Sequence, residues 1–259
     1  WIRMGAPVPD SFGSPAPVTA AETTIDWKEE AGFWSFRPLT DYPVEQANGS
    51  VPPRNRIDSH VFSQLAGRKL RPRGEADRRT LIRRLTYNLI GLPPTPAEIN
   101  DFVSDKAPRA WDNLVTRLLA SPHYGERWGR HWLDVVRYAD SNGADENKSY
   151  PLAYHYRNYV IDAFNQDRPF DEFVREQLAG DLLPAPPDAA IANRRLTATT
   201  YLAMGIKIDA EKDGEKKRSD IIDEQIDTIS RSLLGVTVAC ARCHDHKFDP
   251  IPTTDYYAM

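Results

Sequence analysis

The stretch IDEQIDTISRSLLGVTVACARCH, residues 222–244, carries a helical apolar pattern directly into a pair of cysteines. Its apolar residues recur at alternating steps of four and three, which places them on one face of a helix. They are Ile222, Ile226, Ile229, Leu233 and Val236. These residues predict a long helix that delivers the chain into a short loop bearing both cysteines.

Residues 240–244 read Cys-Ala-Arg-Cys-His, the C-x-x-C-H pattern typical of covalent haem c attachment. Two thiols separated by two residues can each form a thioether to one vinyl group of the porphyrin, and the adjacent histidine then ligates the iron. The chain has no other cysteine, which excludes a disulfide framework and a four-cysteine metal site. We therefore predict one covalently bound haem c, attached at Cys240 and Cys243, with His244 as an iron ligand.

Two other interpretations of this motif stay open. Zinc could be held by Cys240, Cys243, His244 and His246, although zinc sites usually draw their ligand pairs from well-separated segments. The cysteines could also form a disulfide, remain free thiols or act as a redox pair. A thioredoxin-like redox pair expects a neighbouring βαβ pattern, which the sequence does not show.

Composition and charge bound the class of protein. With 259 residues, the chain can form one large or two small domains with an ample core. The net charge of −4 argues against nucleic acid as the main partner, since Lys and Arg form only short clusters such as Arg83–Arg84 and 216–218. No apolar stretch approaches the length of a membrane span.

The ends of the chain and the motif bear on its location. The chain begins at Trp1 and stops at Met259, which we interpret as a processed chain or a fragment of something longer, truncated at its C-terminal end. Because haem c is attached outside the cytoplasm, the motif predicts an exported protein, periplasmic or extracellular.

Prolines divide the chain into two regions. Residues 11–53 are predicted to form a proline-rich, extended arm or linker. Within it, the aromatic residues of 33–36 are expected to pack on the following domain as a short extended segment. From residue 54 onward the apolar spacing is helical, and residues 95–98 (Thr-Pro-Ala-Glu) predict a capping box. The predicted fold is mostly α, a multi-helix domain over residues 54–259 with a C-terminal haem c attachment loop.

Several stretches match one known family in sequence and in order. They include ADRRTL at 76–81, LIGLPPTP at 89–96, SPHYGERW at 121–128, HWLD at 131–134, RYADSNG at 137–143, EQLAGDLL at 176–183, DEQIDT at 223–228 and CARCHDHKFDP at 240–250. On these residues, the chain resembles the planctomycete-type cytochrome c domain of unknown function, the helical domain that usually follows a small cytochrome c domain. The resemblance covers about residues 33–259.

The resemblance carries further implications. Residues 1–10 are similar to the tail of a preceding cytochrome-like domain, so a second haem would belong to the upstream part of the parent protein. The family implies large, exported, multidomain proteins, frequently from polysaccharide-degrading bacteria. It leaves the reaction open, and whether the chain is an enzyme is not decided by it.

The face of the iron opposite His244 needs a second ligand in an electron carrier, or an open position in an enzyme. His131 is the first candidate metal ligand, because it shares a helical arc with Tyr124 and Val135 and is expected to face inward. A core histidine satisfied by a buried carboxylate or carbonyl is the alternative. Met204 is the second candidate, with core gap-filling as the alternative. Weaker candidates are His60, His123 and His155.

Buried haem propionates favour arginine donors, and Arg242 and Arg137 are the candidates. Both could equally be solvated or structural. His246 is expected to form local hydrogen bonds or to meet a propionate. Two acidic groups are interpreted as solvated rather than functional: Asp134, Asp140, Asp145 and Glu146 around a turn, and Asp223, Glu224 and Asp227 on a helix face.

Three functions follow from these residues. The first is an exported electron-transfer module that passes electrons to a redox partner protein or an adjacent cytochrome domain. The second is a haem oxidoreductase with an open distal site. The third is a carbohydrate-binding or hydrolytic scaffold in which acidic and tryptophan residues carry the function and haem stabilises the fold. We rank electron transfer first, because it asks least beyond the attachment motif, and keep carbohydrate as a further candidate partner.

Overall fold

The computed structural model describes residues 26–41, 53–144, 147–186, 188–208 and 210–259. The predicted tail at 1–10 and most of the predicted arm at 11–53 lie outside these residues. Within them the chain forms eleven α-helices and no strand; the single isolated antiparallel bridge joins Ser141 and Ser149. The predicted mostly α fold is confirmed.

The helices follow one another with short connections. They are α1 Trp27–Glu30, α2 Arg56–Gly67, α3 Arg78–Ile90, α4 Pro96–Ser104, α5 Ala110–Leu119, α6 His123–Val135, α7 Tyr154–Asn165, α8 Phe170–Ala179, α9 Ala189–Ala198, α10 Gly214–Ile229 and α11 Thr253–Ala258. Short 3₁₀ turns occur at Trp34–Phe36, Thr199–Leu202 and Val238–Arg242, and a π-helical turn at Ser230–Leu234. Across the described residues, none of the helices combines the length and apolar character needed to cross a bilayer.

Helices α3, α4 and α5 enclose the first core. Its buried residues are Ile82, Phe102, Ala110, Leu114 and Leu118. The predicted capping box is present, because the Thr95 hydroxyl accepts from the Glu98 N–H at 3.2 Å and the Glu98 carboxylate accepts from the Thr95 N–H at 2.8 Å. It satisfies two backbone donors that the first turn of α4 would otherwise leave unpaired.

Helices α6 to α9 enclose the larger core. Helix α6 lies against α7 through Gly125 and Gly129, and a Cβ added at Gly125 would come within 2.3 Å of the Ile161 carbonyl oxygen. Trp132 continues this face of α6, and its indole N–H donates to Gln177 Oε1 at 2.9 Å. The glycines therefore decide which side of α6 is buried, because only a residue without a side chain allows this approach.

One expectation for the N-terminal region is wrong. Residues 34–36 form a 3₁₀ turn rather than an extended segment, and Phe33, Trp34 and Phe36 are exposed, with Trp34 at 76 %. The Phe33 ring contacts that of its own neighbour Trp34, at 5.9 Å between centroids. Local aromatic contact thus replaces the expected packing on the helical domain.

The long helix predicted before the cysteines is present as α10 and the π-helical turn that continues it. It ends at Gly235, whose φ of +69° lies in the left-handed region that glycine adopts most easily. The chain then turns into Val238–Arg242. A third core lies under this turn and comprises the buried residues Ile226, Val238, Ala241 and Tyr256.

Candidate functional site

The cysteine turn, residues 238–244, alternates buried and exposed positions with a period of three. Val238 and Ala241 are buried in the third core, whereas Cys240 and Cys243 are exposed free thiols. In a 3₁₀ turn, residues three apart share a face. Cys243 directly follows the last residue of this turn. The local helix type therefore directs both thiols away from the core, on the side where a covalent ligand could reach both.

His244 is exposed and holds a defined ring orientation. Its Nδ1 lies 2.7 Å from the carbonyl oxygen of Asp245. A carbonyl oxygen only accepts hydrogen bonds, so Nδ1 carries a proton, and in the neutral ring Nε2 then keeps its lone pair. Histidines that ligate metals commonly donate their second ring N–H to a backbone carbonyl in this way.

His246, in contrast, is buried, with only 5 % of its surface exposed. Its Nδ1 accepts from the backbone N–H groups of Phe248 at 3.2 Å and Asp249 at 2.8 Å, and its Nε2 lies 3.2 Å from Thr237 Oγ1. Both ring nitrogens are therefore hydrogen-bonded, Nδ1 within residues 246–249 and Nε2 to Thr237. This agrees with the expected local hydrogen bonding.

The zinc interpretation finds no geometric support in the described part of the chain. There, no three His, Cys, Asp or Glu side chains converge as a group that could hold a metal ion. His246 is also not free to join such a group, because both of its ring nitrogens are hydrogen-bonded.

Asp223 ties the cysteine turn to α10 and α11. Its carboxylate accepts from Arg242 Nη1 at 2.9 Å and from the Tyr256 hydroxyl at 2.6 Å. Asp220 adds a longer contact to Arg242 Nη2 at 3.4 Å, and the Tyr257 hydroxyl donates to the Arg242 carbonyl at 3.1 Å. The Asp223 charge raises the pKa of Arg242, while burial, reinforced by Asp223, raises the pKa of Tyr256.

Arg242 thus lies in the turn, but its guanidinium is paired with carboxylates of α10. The expectation that Asp223, Glu224 and Asp227 belong to a solvated helix face is wrong. Their side chains are 25 %, 26 % and 17 % exposed, and each is paired with an arginine. Sequence reasoning missed this role because the partners lie 19 residues further along the chain for Asp223 and 87 residues before Glu224.

Arg137 lies at the end of α6 with a φ of +57° and contacts the same helix α10. It pairs with Glu224 Oε1 at 3.0 Å, donates to the Glu224 carbonyl at 2.9 Å and contacts the Thr228 hydroxyl. Gly205 allows this arrangement, because a Cβ added there would lie 2.5 Å from Glu224 Oε2. The structure therefore gives Arg137 a contact between helices rather than a free guanidinium.

His131 is exposed, so the expectation that it faces inward is wrong. Gly125, Gly129 and Trp132 lie on the buried face of α6, and His131 lies outside that arc with its ring 5.5 Å from the Trp128 ring. Met204 is buried in the larger core, not in the core under the cysteine turn. The closest packing of the turn is with α10 and α11, so the structure does not bring either candidate to it.

The other histidines and the acidic turn are placed as follows. His60, His123 and His155 are exposed; His123 pairs with Glu126 at 2.8 Å, and His155 stacks on Tyr154. Asp134 and Asp140 are exposed, and Asp145 and Glu146 lie outside the described residues. The described residues therefore do not assemble a carboxylate site at this turn.

An apolar groove lies beside the cysteine turn, with a volume of about 320 Å³. It is lined by Ser219, Ile222, Ile226, Arg242, Tyr256, Tyr257 and Met259. The groove combines aliphatic and aromatic walls with one guanidinium, that of Arg242 in the cysteine turn. Sequence reasoning missed it because α11 was not predicted and contributes most of its aromatic surface.

Comparison with known proteins gives one match. A family model described as "PSCyt2: Protein of unknown function (DUF1549)" matches residues 56–259, well over half of the chain. No curated protein and no solved structure matches the chain. The matched residues include the ten helices from α2 to α11 and the cysteine turn.

Proposed function

Since the chain belongs to the PSCyt2 family of proteins of unknown function, we propose its function from the site itself. It is an exported c-type cytochrome module that carries one haem c on Cys240 and Cys243, with His244 as iron ligand. It passes electrons to a redox partner protein or to an adjacent cytochrome domain. Polysaccharide-degrading systems are the proposed setting.

The contrast between two neighbouring histidines carries the proposal. His244 is exposed, with Nδ1–H donated to a backbone carbonyl and Nε2 left as a ligand atom. His246 is buried, with both ring nitrogens hydrogen-bonded. The histidine at the fifth position of the C-x-x-C-H motif is thus the one whose ring nitrogen can bind iron, beside two exposed thiols.

The residues present fit the group. A bound haem c supplies reversible one-electron chemistry at its iron. The chain's own residues supply the rest: Cys240 and Cys243 hold the ligand covalently, His244 orients Nε2, and Asp223 fixes the turn through Arg242. The adjacent groove offers apolar surface that would exclude water from one side of such a ligand.

The test is production of the chain in a host that matures c-type cytochromes, followed by mass spectrometry and a reduced-minus-oxidised spectrum. We expect the mass of one haem added to the chain and the spectrum of a c-type cytochrome. Cys240→Ala with Cys243→Ala should abolish both signals. A colourless protein with unmodified thiols would refute the proposal.

A matched pair of histidine variants separates ligation from folding. His244→Ala should keep the covalent haem but change its spectrum, because it removes the proposed iron ligand. His246→Ala should lower stability while leaving the spectrum of the attached haem close to that of the parent. The reverse result would assign ligation to His246 and overturn the assignment.

A haem oxidoreductase with an open distal site is the second candidate. It is favoured by the separation of His131 and Met204 from the cysteine turn. Carbon monoxide and cyanide distinguish the candidates, since an open site binds them readily and a six-coordinate electron carrier does not. His131→Ala should leave the spectrum unchanged if that exposed residue is not a ligand. Unimpaired carbohydrate binding or hydrolysis by the folded Cys240→Ala, Cys243→Ala variant would favour the scaffold function.

A further inference from the structure

Residues 68–84, the basic segment, concentrate positive charge in an otherwise acidic protein. The segment holds eight cations and two carboxylates, a net charge of +6, whereas the whole chain carries −4; the remaining residues therefore carry −10. The cations are Arg68, Lys69, Arg71, Arg73, Arg78, Arg79, Arg83 and Arg84. Arg83–Arg84, taken above as a short cluster, is thus the end of a longer one.

Seven of the eight cations are exposed, and none of these seven forms an ion pair with any described residue. Arg78, the eighth cation, is only partly exposed, and its guanidinium donates to the Phe102 carbonyl at 2.9 Å. The two carboxylates of the segment are engaged elsewhere. Glu75 pairs with Arg54 at 3.5 Å, and Asp77 caps α3 by accepting from the Thr80 N–H at 3.0 Å.

Most of the described arginines outside the segment form ion pairs with carboxylates. Arg117, Arg137, Arg168, Arg175, Arg194, Arg231 and Arg242 all lie within 3.0 Å of a carboxylate oxygen. Outside the segment, ten of the sixteen described arginines lie within 4.0 Å of a described carboxylate oxygen, whereas none of the seven exposed cations of the basic segment does.

Helix stability does not account for these cations. The inner face of α3 is already buried through Ile82, so the arginines are not needed for packing. Arg79 and Arg83 are one turn apart on the outer face, where like charges repel. The first turn of α3 also carries the positive end of the helix dipole, which Arg79 opposes. An anionic partner would relieve both repulsions.

We propose that the basic segment is the docking surface for a polyanionic polysaccharide, a linear sugar polymer bearing carboxylate or sulfate groups. Seven of the eight cations are arginines, whose planar guanidinium pairs with two oxygens of such a group at once. Arg68 and Lys69 follow α2, Arg71 and Arg73 lie in residues 70–77, which form neither helix nor strand, and the other four cations lie on α3, so the charges are spread along the chain. This arrangement fits an extended polymer.

Tyr87 adds a contact suited to a sugar ring. It lies on the exposed side of α3, 39 % exposed, with the Arg83 guanidinium 5.1 Å from its ring centroid. An exposed ring flanked by a cation offers an apolar face to the C–H groups of a sugar beside a site for its acidic substituent.

Two other anionic partners fit less well. Duplex nucleic acid carries far denser charge, so the −10 of the remaining chain repels it more strongly, and the proposed export would keep the two apart. Insertion of α3 into an anionic membrane would need its apolar face, which is buried in the first core. The choice of a polysaccharide as the partner depends on the proposed export of the protein. The charge of the basic segment does not depend on that proposal.

The experiment measures binding of the full chain, without haem, to dextran sulfate and to polygalacturonate by isothermal titration calorimetry. Neutral dextran of the same length is the polymer control. The patch variant is Arg79→Gln, Arg83→Gln, Arg84→Gln, since glutamine keeps helix propensity. The matched control is Lys216→Gln, Lys217→Gln, Arg218→Gln, which removes the same charge from α10. Circular dichroism checks that both variants keep the parent's helicity.

We expect both anionic polymers to bind and neutral dextran not to bind. The patch variant should lose affinity by roughly tenfold or more and depend less steeply on salt, because fewer counterions are released. The control should stay within about twofold of the parent, since its cations lie outside the segment. Because the assay needs no haem, a failure here leaves the proposed cytochrome function standing.

Other outcomes would overturn the proposal. They are no binding of either polymer, equal losses in patch and control variants, or tighter binding to a duplex oligonucleotide. Tighter binding to phosphatidylserine vesicles would assign the segment to membranes, to which the exposed Ile57 and Val61 of α2 could then contribute. Salt-sensitive self-association in sedimentation would assign it to the acidic surface of a second copy. If the patch variant loses helicity, the same polymers are tested on Arg68→Gln, Arg71→Gln, Arg73→Gln, which lies outside any helix.

Discussion

At the scale of single residues, Asp223 connects three parts of the chain. It accepts from Arg242 at 2.9 Å and from Tyr256 at 2.6 Å, so one carboxylate joins α10 to the cysteine turn and to α11. Asp223→Asn should lower the free energy of unfolding by about 1–2 kcal/mol, because it leaves Arg242 and Tyr256 with a weaker acceptor. Urea unfolding of the haem-free chain measures this change.

Asp220→Asn is the control for Asp223. Its contact to Arg242 is longer, at 3.4 Å, and its side chain is 38 % exposed. A loss of no more than about 0.5 kcal/mol is expected there, as for exposed ion pairs. Equal losses at the two positions would show that the shorter, partly buried hydrogen bonds of Asp223 are not what holds the turn.

Tyr138 gives a pH dependence whose sign follows from its environment. Burial, reinforced by its hydrogen bond to Asp140, raises the pKa of Tyr138 to about 12 from its usual value of 10.0. The folded state thus holds the proton more tightly than the unfolded state, and this contribution to stability, present below pH 10, is lost as pH rises towards 12. Tyr138→Phe should make unfolding less sensitive to pH in that window.

Tyr156, Tyr159, Tyr201 and Tyr256 shift in the same direction, so Tyr138→Phe should flatten only part of the decline. The measurement is urea unfolding at several pH values between about 9 and 12, with parent and variant side by side. Identical slopes would show that Tyr138 titrates alike in the folded and unfolded states.

The sequence could predict His244 but not its tautomer. The C-x-x-C-H spacing alone distinguishes His244 from His246 as the expected ligand. Which ring nitrogen is protonated depends on the Asp245 carbonyl and on the amides of Phe248 and Asp249, whose positions require the folded loop. The same limit hid the pairing of Arg242 with Asp223.

At the scale of helices, α6 and α7 approach through two glycines that differ in the space around them. A Cβ at Gly125 would lie 2.3 Å from the backbone oxygen of Ile161, whereas one at Gly129 would lie 3.3 Å from a methyl of Val160. Gly125→Ala should destabilise the fold by about 2–3 kcal/mol, because a backbone must shift. Thermal and urea unfolding measure the loss.

Gly129→Ala should cost less than Gly125→Ala, at most about 1 kcal/mol, since a side-chain methyl can yield and alanine favours the helix. If the order of the two losses is reversed, the close approach of α6 to α7 is not set at Gly125.

These glycines also explain why the buried side of α6 was assigned incorrectly. The arc of Tyr124, His131 and Val135 was expected to face inward, but the buried face is the neighbouring one, with Gly125, Gly129 and Trp132. A hydrophobic pattern weights large residues, whereas a close helix contact depends on small ones. By contrast, the capping box of α4 was predictable, because all its atoms belong to residues 95–98.

Helix α8 carries a buried charge cluster. Glu176, with its side chain 6 % exposed, pairs with Arg168 at 2.9 Å and Arg194 at 3.0 Å and accepts from the Tyr159 hydroxyl at 3.0 Å. Glu176→Gln should cost about 3–5 kcal/mol, because it leaves buried guanidinium charge uncompensated. Asp171→Asn, which breaks the exposed pair with Arg175 on the same helix, should cost under about 1 kcal/mol in the same urea experiment.

At the scale of the whole molecule, the described residues bury their apolar side chains in three cores, of which only the third includes the cysteine turn. The first two are built by α3 to α9 and the segment after α9, with Ile229 of α10 packed against the larger one, and contain no residue of the turn. Each packs through its own helices, with Ile82 and Tyr156 both fully buried. Most of the fold therefore does not depend on what the cysteines carry.

This division predicts how the chain behaves without its proposed ligand. The double variant Cys240→Ala, Cys243→Ala should keep the parent's helical circular dichroism, because the two larger cores are intact. The variant cannot hold a covalent ligand at the turn, so its hydrogen exchange should be faster over residues 214–259. The third core in that region is small and consists of only four buried side chains. Exchange across α3 to α8 should match that of the haem-loaded parent. Global unfolding of the variant would show that the ligand holds the entire domain together, and would favour a structural role for haem over electron transfer.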